Sequence, residues 1–274
     1  MIKNVFKSLF WFIMYFALQT VAMLGILIHD VISGNLVFTD IRNEALYLEE
    51  ITAYLNSIAL PSVLIGAVIY FAIFIAYKLI RKHSFDFNTI DCNKLVFCLG
   101  IGLLLNIVTT IAINLAVMVV PESISQALNN STSAALEGFS LWYLLLVTGI
   151  CGPVFEELTF RYGMCGILAR NNKTVGLIVS AVIFGLMHGN PIQIIYAAIL
   201  GFIFGYVYLK HGNIWYPIMM HIAINSSSVL VSHFEAYWLY GAFGILAIVL
   251  ILILLKKNPE LKQFFAYSKQ NVEQ

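Results

Sequence analysis

The chain has 274 residues, 61% of them hydrophobic and 11% charged, with a mean hydropathy of +0.89 and a formal net charge of +1. A soluble domain carries about 25% charged residues, so this chain cannot cover itself with polar groups and its solvent must be lipid. The near-neutral charge and the lack of a basic cluster argue against a nucleic-acid partner.

In chain order, eight apolar segments read as membrane-spanning helices, at 9–28, 58–80, 95–120, 139–169, 174–189, 191–209, 214–232 and 238–255. The first follows Lys3 and Lys7 as a signal peptide would. It runs longer than the roughly 7–15 apolar residues of a signal sequence and no small-x-small cleavage site follows, so it reads as a span. Before the second segment, Ile41, Leu48, Ile51 and Leu55 keep helical spacing, which predicts an interfacial helix or an early start of that span. The Ser-, Asn- and Thr-rich stretch 121–138 reads as an outer loop. Gly201 and Gly205 form a GxxxG packing face. Cys92, Cys98, Cys151 and Cys165 make no CxxC pair and read as free thiols.

The charges orient these segments. With the N-terminus in the cytoplasm, 13 of the 15 basic residues fall on the cytoplasmic side. They are Lys3, Lys7, Lys78, Arg81, Lys82, Lys94, Arg170, Lys173, Lys210, Lys256, Lys257, Lys262 and Lys269. Asp30, Asp40, Glu44, Glu49 and Glu50 fall in the first outer loop with Arg42. This positive-inside pattern implies an even number of spans and cytoplasmic N- and C-termini. The fold class is therefore an all-α polytopic membrane protein of about eight transmembrane helices; a bacterial cell membrane is the expected location. Residues 1–138 hold three helices and outer loops, 139–232 hold helices four to seven, and 233–274 hold the last helix and a cytoplasmic tail, all in one membrane domain.

In lipid the informative residues are the polar ones, because a charge near mid-membrane costs at least about 2.5–3.5 kcal/mol. They collect in the second half: Glu156, Glu157 and Arg161 in segment four, His188 in segment five, His221 and Asn225 in segment seven. Glu157 and Arg161 stand at i and i+4, as do His221 and Asn225, so each pair shares a helix face. At 1.5 Å per residue, Glu156 and His188 lie about 20 Å from their cytoplasmic helix ends, His221 about 12 Å and Asn225 about 18 Å. Three helices thus carry polar groups to similar depth. A carboxylate in a cavity of low dielectric is a useful general base. Histidine orients water, shuttles protons or binds metal. An imidazole with an amide can donate to an oxyanion, and Arg161 can hold Glu157 ionised. These are the parts of a water-activating hydrolase.

The bland readings fall elsewhere. Asn106 and Asn114 lack such partners and read as interhelical glue, and Gln19 as packing. His29, His83, His211 and His233 sit at span ends and read as solvated.

The same residues carry a family resemblance. Glu156-Glu157-Leu-Thr-Phe-Arg161 resembles the EExxxR motif of the CAAX-protease and bacteriocin-processing membrane proteases, Phe184-Gly-Leu-Met-His188 their FxxxH motif, and His221-Ile-Ala-Ile-Asn225 their HxxxN motif. Gly212-Asn-Ile-Trp215 is in the same style, and the resemblance covers residues 139–230. It implies an eight-helix endopeptidase acting near the membrane on a peptide or protein substrate. By that analogy Glu156 is the base, His188 stands beside the water, His221 and Asn225 form the oxyanion side, and Glu157 and Arg161 support them. The family's mechanism has been described with and without metal. A zinc ion would draw on Glu156, His188 and His221, whereas a metal-free site gives all four residues a role. Two other classes compete: a non-proteolytic binding or immunity protein of the same fold, and a proton- or ion-coupled transporter. A transporter predicts broken helices paired between two halves, yet the polar residues lie in one half. Nothing in the sequence sets the substrate or the oligomeric state.

Overall fold

The structure is a computed structural model, and it describes residues 2–36, 44–80, 90–123, 125–126 and 138–266. Asp40, Arg42, Arg81, Lys82, His83 and Lys269, the first residues of the 41–57 helix and most of the 121–138 stretch lie outside them.

Eight main helices match the eight apolar segments: α1 (Ile2–Ser33), α2 (Glu44–Ile80), α3 (Cys92–Val117), α4 (Leu141–Ala169), α5 (Lys173–Leu186), α6 (Pro191–His211), α7 (Trp215–Phe234) and α8 (Trp238–Lys257). α2 runs unbroken from Glu44, so of the two readings before the second span the early start holds. Six helices among the described residues are long and apolar enough to cross a membrane. The other two are the informative ones. α5 has 14 residues, about 21 Å of helix, shorter than a bilayer's hydrocarbon core. α7 has the length but carries His221, Asn225, Ser226, Ser227 and Ser228. The chain is an integral membrane protein whose polar helices sit among apolar ones.

Local chemistry sets the ends. Asp91 caps α3 by accepting from the Asn93 and Lys94 amides. Asn172 caps α5 and Asn190 caps α6, satisfying first-turn N–H groups that lipid could not. Gly212, at φ +61°, ends α6 in a left-handed conformation that costs glycine nothing.

Side chains interlock between helices, since lipid offers little drive for apolar burial and packing must hold them together. Trp11 of α1 meets Tyr70, Phe74 and Tyr77 of α2 edge-on at 5.4–5.8 Å. Tyr15 stacks on Phe155 of α4 at 4.4 Å. The GxxxG face of α6 packs on α5: a Cβ at Gly201 would stand 3.0 Å from Phe184, and one at Gly205 2.6 Å from Leu177. Asn106 of α3 acts as the expected glue, bonding to Ser227 and Ser228 of α7.

One expectation changes at the C-terminal end of the described residues, and another gains detail. Residues 259–266, in the segment expected as a cytoplasmic tail, dock against the helices. Pro259–Gln263 forms a short 3₁₀ turn, and Leu261 and Phe264 are buried with Phe97, Leu254 and Tyr216. Lys210 donates to the Gln263 and Ala266 carbonyls, and Tyr206 to that of Phe265. His211, expected to be solvated, stacks on Phe264 at 4.2 Å and contacts its carbonyl at 3.1 Å. Aromatic anchors joined to backbone acceptors explain both.

Candidate active site

α4 is not a regular helix. Short α turns at Leu141–Leu144, Gly152–Glu157 and Gly166–Ala169 are separated by wide π turns at Leu145–Cys151 and Leu158–Cys165. Wide turns of this kind are rare and cluster at functional sites. Here they bracket Glu156 and Glu157. One cause is visible in the sequence: Pro153 has no N–H to give the carbonyls four and five residues earlier, those of Gly149 and Thr148. α7 answers them. Asn225 Nδ2 donates to the Thr148 carbonyl at 3.0 Å, and Ser226 Oγ to that of Gly149 at 3.3 Å.

One turn below, Glu157 and Arg161 are fully buried. Arg161 Nε donates to Glu157 Oε2 at 2.8 Å and Nη2 to Oε1 at 3.3 Å, so the i,i+4 pair is a two-pronged ion pair. The guanidinium carbon lies 4.7 Å from the Phe184 ring centre and 5.8 Å from that of Phe204, a cation–π seat that restores part of the lost solvation. Nη1 has no hydrogen-bond partner among the described residues. Glu157 Oε1 also meets His221 Nδ1 at 3.0 Å. A hydrogen on Nδ1 pointed at a carboxylate fixes the ring orientation and leaves Nε2 facing outward, 3.7 Å from Glu156 Oε2. That is beyond a direct hydrogen bond. Glu156, on the next face of α4, keeps 19% of its side chain exposed, whereas His221 keeps 7%.

Arg161, Glu157, His221 and Glu156 therefore form one chain of groups, running from a sealed ion pair to a partly open carboxylate. His188 stands apart from it. Segment five was expected to carry it on the helix, but α5 ends at Leu186 and His188 lies in the turn before Asn190. Its Nδ1 contacts the Phe184 carbonyl at 2.8 Å, which frees Nε2. The Phe184 ring lies edge-on to both His188 (5.1 Å) and His221 (5.9 Å). No ion pair joins His188 to Glu156 among the described residues; the imidazole beside Glu156 is that of His221. Asn225 has one amide hydrogen engaged by Thr148 and one left over.

The zinc reading requires Glu156, His188 and His221 to converge. No group of three His, Cys, Asp or Glu side chains among the described residues is placed to hold a metal ion. As the side chains stand, these three residues do not make a three-ligand site; the Nδ1 atoms of both histidines face protein acceptors, which leaves each Nε2 as the outward ring nitrogen.

The residues the sequence reading missed are Pro153, Thr148, Gly149 and Tyr15. Tyr15, buried on α1, places its hydroxyl beside Glu156 and Gln19. A proline inside a polar span, followed by an Asn-Ser run on a later helix, is the signal that could have found the first three.

Comparison with known proteins bears on this same stretch. Residues 138–227 match the family described as type II CAAX prenyl endopeptidase Rce1-like. These residues resemble that family. They contain every motif residue, from Glu156 to Asn225, in agreement with the resemblance carried by the motifs. A Bacillus subtilis protein described as "Putative membrane peptidase YdiL" is 32% identical over 89 residues, covering 32% of this chain and 36% of that protein. The chain thus aligns with little more than a third of that relative's length. No solved structure matches. Helices α1 to α3 and α8 lie outside the Rce1-like segment, so Tyr15 and Asn106 reach it from elsewhere in the fold.

Proposed function

We propose that the chain is an intramembrane endopeptidase that hydrolyses a peptide bond of a membrane-associated protein or peptide. The observation that carries this reading is the graded chain of ionisable groups: a sealed Arg161–Glu157 pair orients His221 toward a carboxylate, Glu156, that is itself only partly buried. A structural salt bridge needs none of the last two groups. The Rce1-like match and the peptidase relative support the same class.

In this mechanism a water enters beside Glu156, whose carboxylate takes its proton as oxygen attacks the peptide carbonyl. His188 Nε2, turned away from the Phe184 contact, is a further polar group that can hand a proton on at the edge of the site. The carbonyl oxygen becomes an oxyanion facing His221 and the second amide hydrogen of Asn225. Glu156, Glu157 and Arg161 together carry one net negative charge. With Nδ1 turned to Glu157, His221 presents Nε2 to the oxyanion. Glu156 then returns its proton to the departing amine. Asn225 and Ser226, tied to α4 carbonyls, hold α7 at the spacing this needs. No step uses a metal.

A prenylated peptide is the substrate class that the family description suggests. In proteoliposomes, the purified protein is expected to cleave a farnesylated CAAX peptide, keep its activity in a strong chelator and hold far less than one zinc per chain. Cleavage of neither this peptide nor its unprenylated counterpart would remove that substrate class. Stoichiometric zinc, with activity lost on chelation and restored by adding metal back, would defeat the metal-free mechanism.

A further inference from the structure

His221 and Asn225 can face α4 only if α7 is held at one rotation and one height. Their own contacts touch α7 from the α4 side alone. On its other side α7 meets α3, and the contact there is closer than side-chain packing allows. A Cβ at Gly102 would stand 2.3 Å from the Met220 carbonyl oxygen, 2.9 Å from Met220 Cα and 2.8 Å from Ala223 Cβ. The α7 backbone therefore lies directly on α3 at the residue before His221. This is the close approach that small residues permit in membranes.

One turn further along α3, on the same face, stands Asn106, 4% exposed. Both ends of its amide are engaged. Nδ2 donates to Ser227 Oγ at 2.7 Å, and Oδ1 accepts from Ser228 Oγ at 3.0 Å. Ser227 Oγ in turn lies 2.6 Å and 3.0 Å from the carbonyl oxygens of Ala223 and Ile224. Consecutive residues of a helix point about 100° apart, so bonding to both Ser227 and Ser228 specifies rotation as well as height. Asn225 and Ser226, the two preceding residues, bond to α4. Four successive residues thus tie α7 to helices on two sides.

We propose that Asn106 is a positioning residue for the reaction: with Gly102 it sets the rotation of α7 and thereby aims His221 and Asn225 at Glu156. It touches no reacting group and acts through the helix. The inference rests on the proteolytic reading for its purpose, but the geometry it asserts exists with or without turnover. It also assigns a role in the site to a residue outside the Rce1-like segment.

The rotation can be read without a substrate. A Cβ at Gly149 would lie 3.6 Å from Ser226 Cβ, within the spacing a disulfide requires. With Cys92, Cys98, Cys151 and Cys165 replaced by alanine, the pair Gly149→Cys and Ser226→Cys is expected to cross-link rapidly on mild oxidation of the full-length protein in membranes. Adding Asn106→Leu should slow that cross-link by about tenfold or more, because disulfide geometry tolerates little misalignment. Transplanting the amide, with Asn106→Ser and Ser227→Asn together, should restore most of the rate. Ser228→Ala removes only one anchor and should fold whatever Asn106→Leu does; it should slow the cross-link about twofold to threefold. Where a cleaved peptide is in hand, Asn106→Leu without the added cysteines should lower kcat about tenfold or more and leave KM nearly unchanged. Unchanged cross-linking in membrane-inserted Asn106→Leu, or in Ser228→Ala if the former does not insert, would overturn the proposal. Failure to find any peptidase activity would leave the cross-link result standing, so the two ideas fail separately.

Discussion

Replacing Glu156 with glutamine is expected to lower cleavage of any peptide that the wild type cuts by about a hundredfold or more, with the protein still inserted and folded. The side chains are nearly the same size, and Glu156 is the partly open end of the polar chain, 3.7 Å from its nearest imidazole nitrogen. Glutamine cannot take a proton from water. The variant should therefore keep the helix packing and lose the base. Substrate affinity, read from KM or from competition, should change little, because the loss falls on the transition state. The comparison is best made in proteoliposomes at matched protein density. Wild-type-like turnover by Glu156→Gln would leave the base assignment untenable.

Arg161→Leu is expected to be the most destabilising single change at the site. Arg161 and Glu157 are both fully buried, and removing one partner leaves an uncompensated charge, worth about 3–5 kcal/mol of stability. The lost cation–π seat between Phe184 and Phe204 adds to this. The expected result is a lower unfolding temperature in detergent and a reduced yield from membranes. Pairing it with Glu157→Gln should recover much of the stability, since a neutral amide no longer needs the guanidinium. It should not recover activity, because His221 loses the carboxylate at Nδ1. A double variant as unstable as Arg161→Leu alone would show that packing, not charge, governs this position. A fully active double variant would sever Glu157 from the mechanism.

Much of the fold could be read along the chain because lipid enforces a simple rule: each backbone polar group must be satisfied within its own helix, so apolar length is a direct measure of a span. The eight segments each became one helix. The site residues were legible for the converse reason, since Glu157, Arg161 and His221 have no cause to be in an apolar bundle except each other. The bidentate geometry of Glu157 and Arg161 follows from their i,i+4 spacing. What could not be read depends on contacts between helices. The depths assumed regular α geometry, but Pro153 and the π turns change the number of residues per turn through α4. His221, expected on the oxyanion side, also comes within 3.7 Å of Glu156. His188 falls beyond the end of α5 because that helix stops at Leu186, short of the span its hydropathy suggested. Tyr15 gave no sign in the sequence, as one buried tyrosine on an aromatic-rich helix looks like packing until its neighbour is known. The docking of Leu261 and Phe264 was hidden likewise: the charges of Lys256, Lys257 and Lys262 read as a polar tail, yet two buried apolar side chains and the hydrogen bonds from Tyr206, Lys210 and His211 hold the segment on α3, α6 and α7.

The central claim is that this membrane protein hydrolyses peptide bonds through Glu156, and it can be tested without knowing the substrate. Cells producing wild-type protein and cells producing Glu156→Gln at equal levels would be compared by mass spectrometry of new C-termini in isolated membranes and medium. Growth in water enriched in oxygen-18 would mark freshly formed carboxyl ends. The wild type is expected to yield labelled C-termini, within or beside membrane segments, that are missing with Glu156→Gln and return when Glu156 is restored. Identical sets of labelled termini in the two strains, with both proteins folded in the membrane, would contradict it.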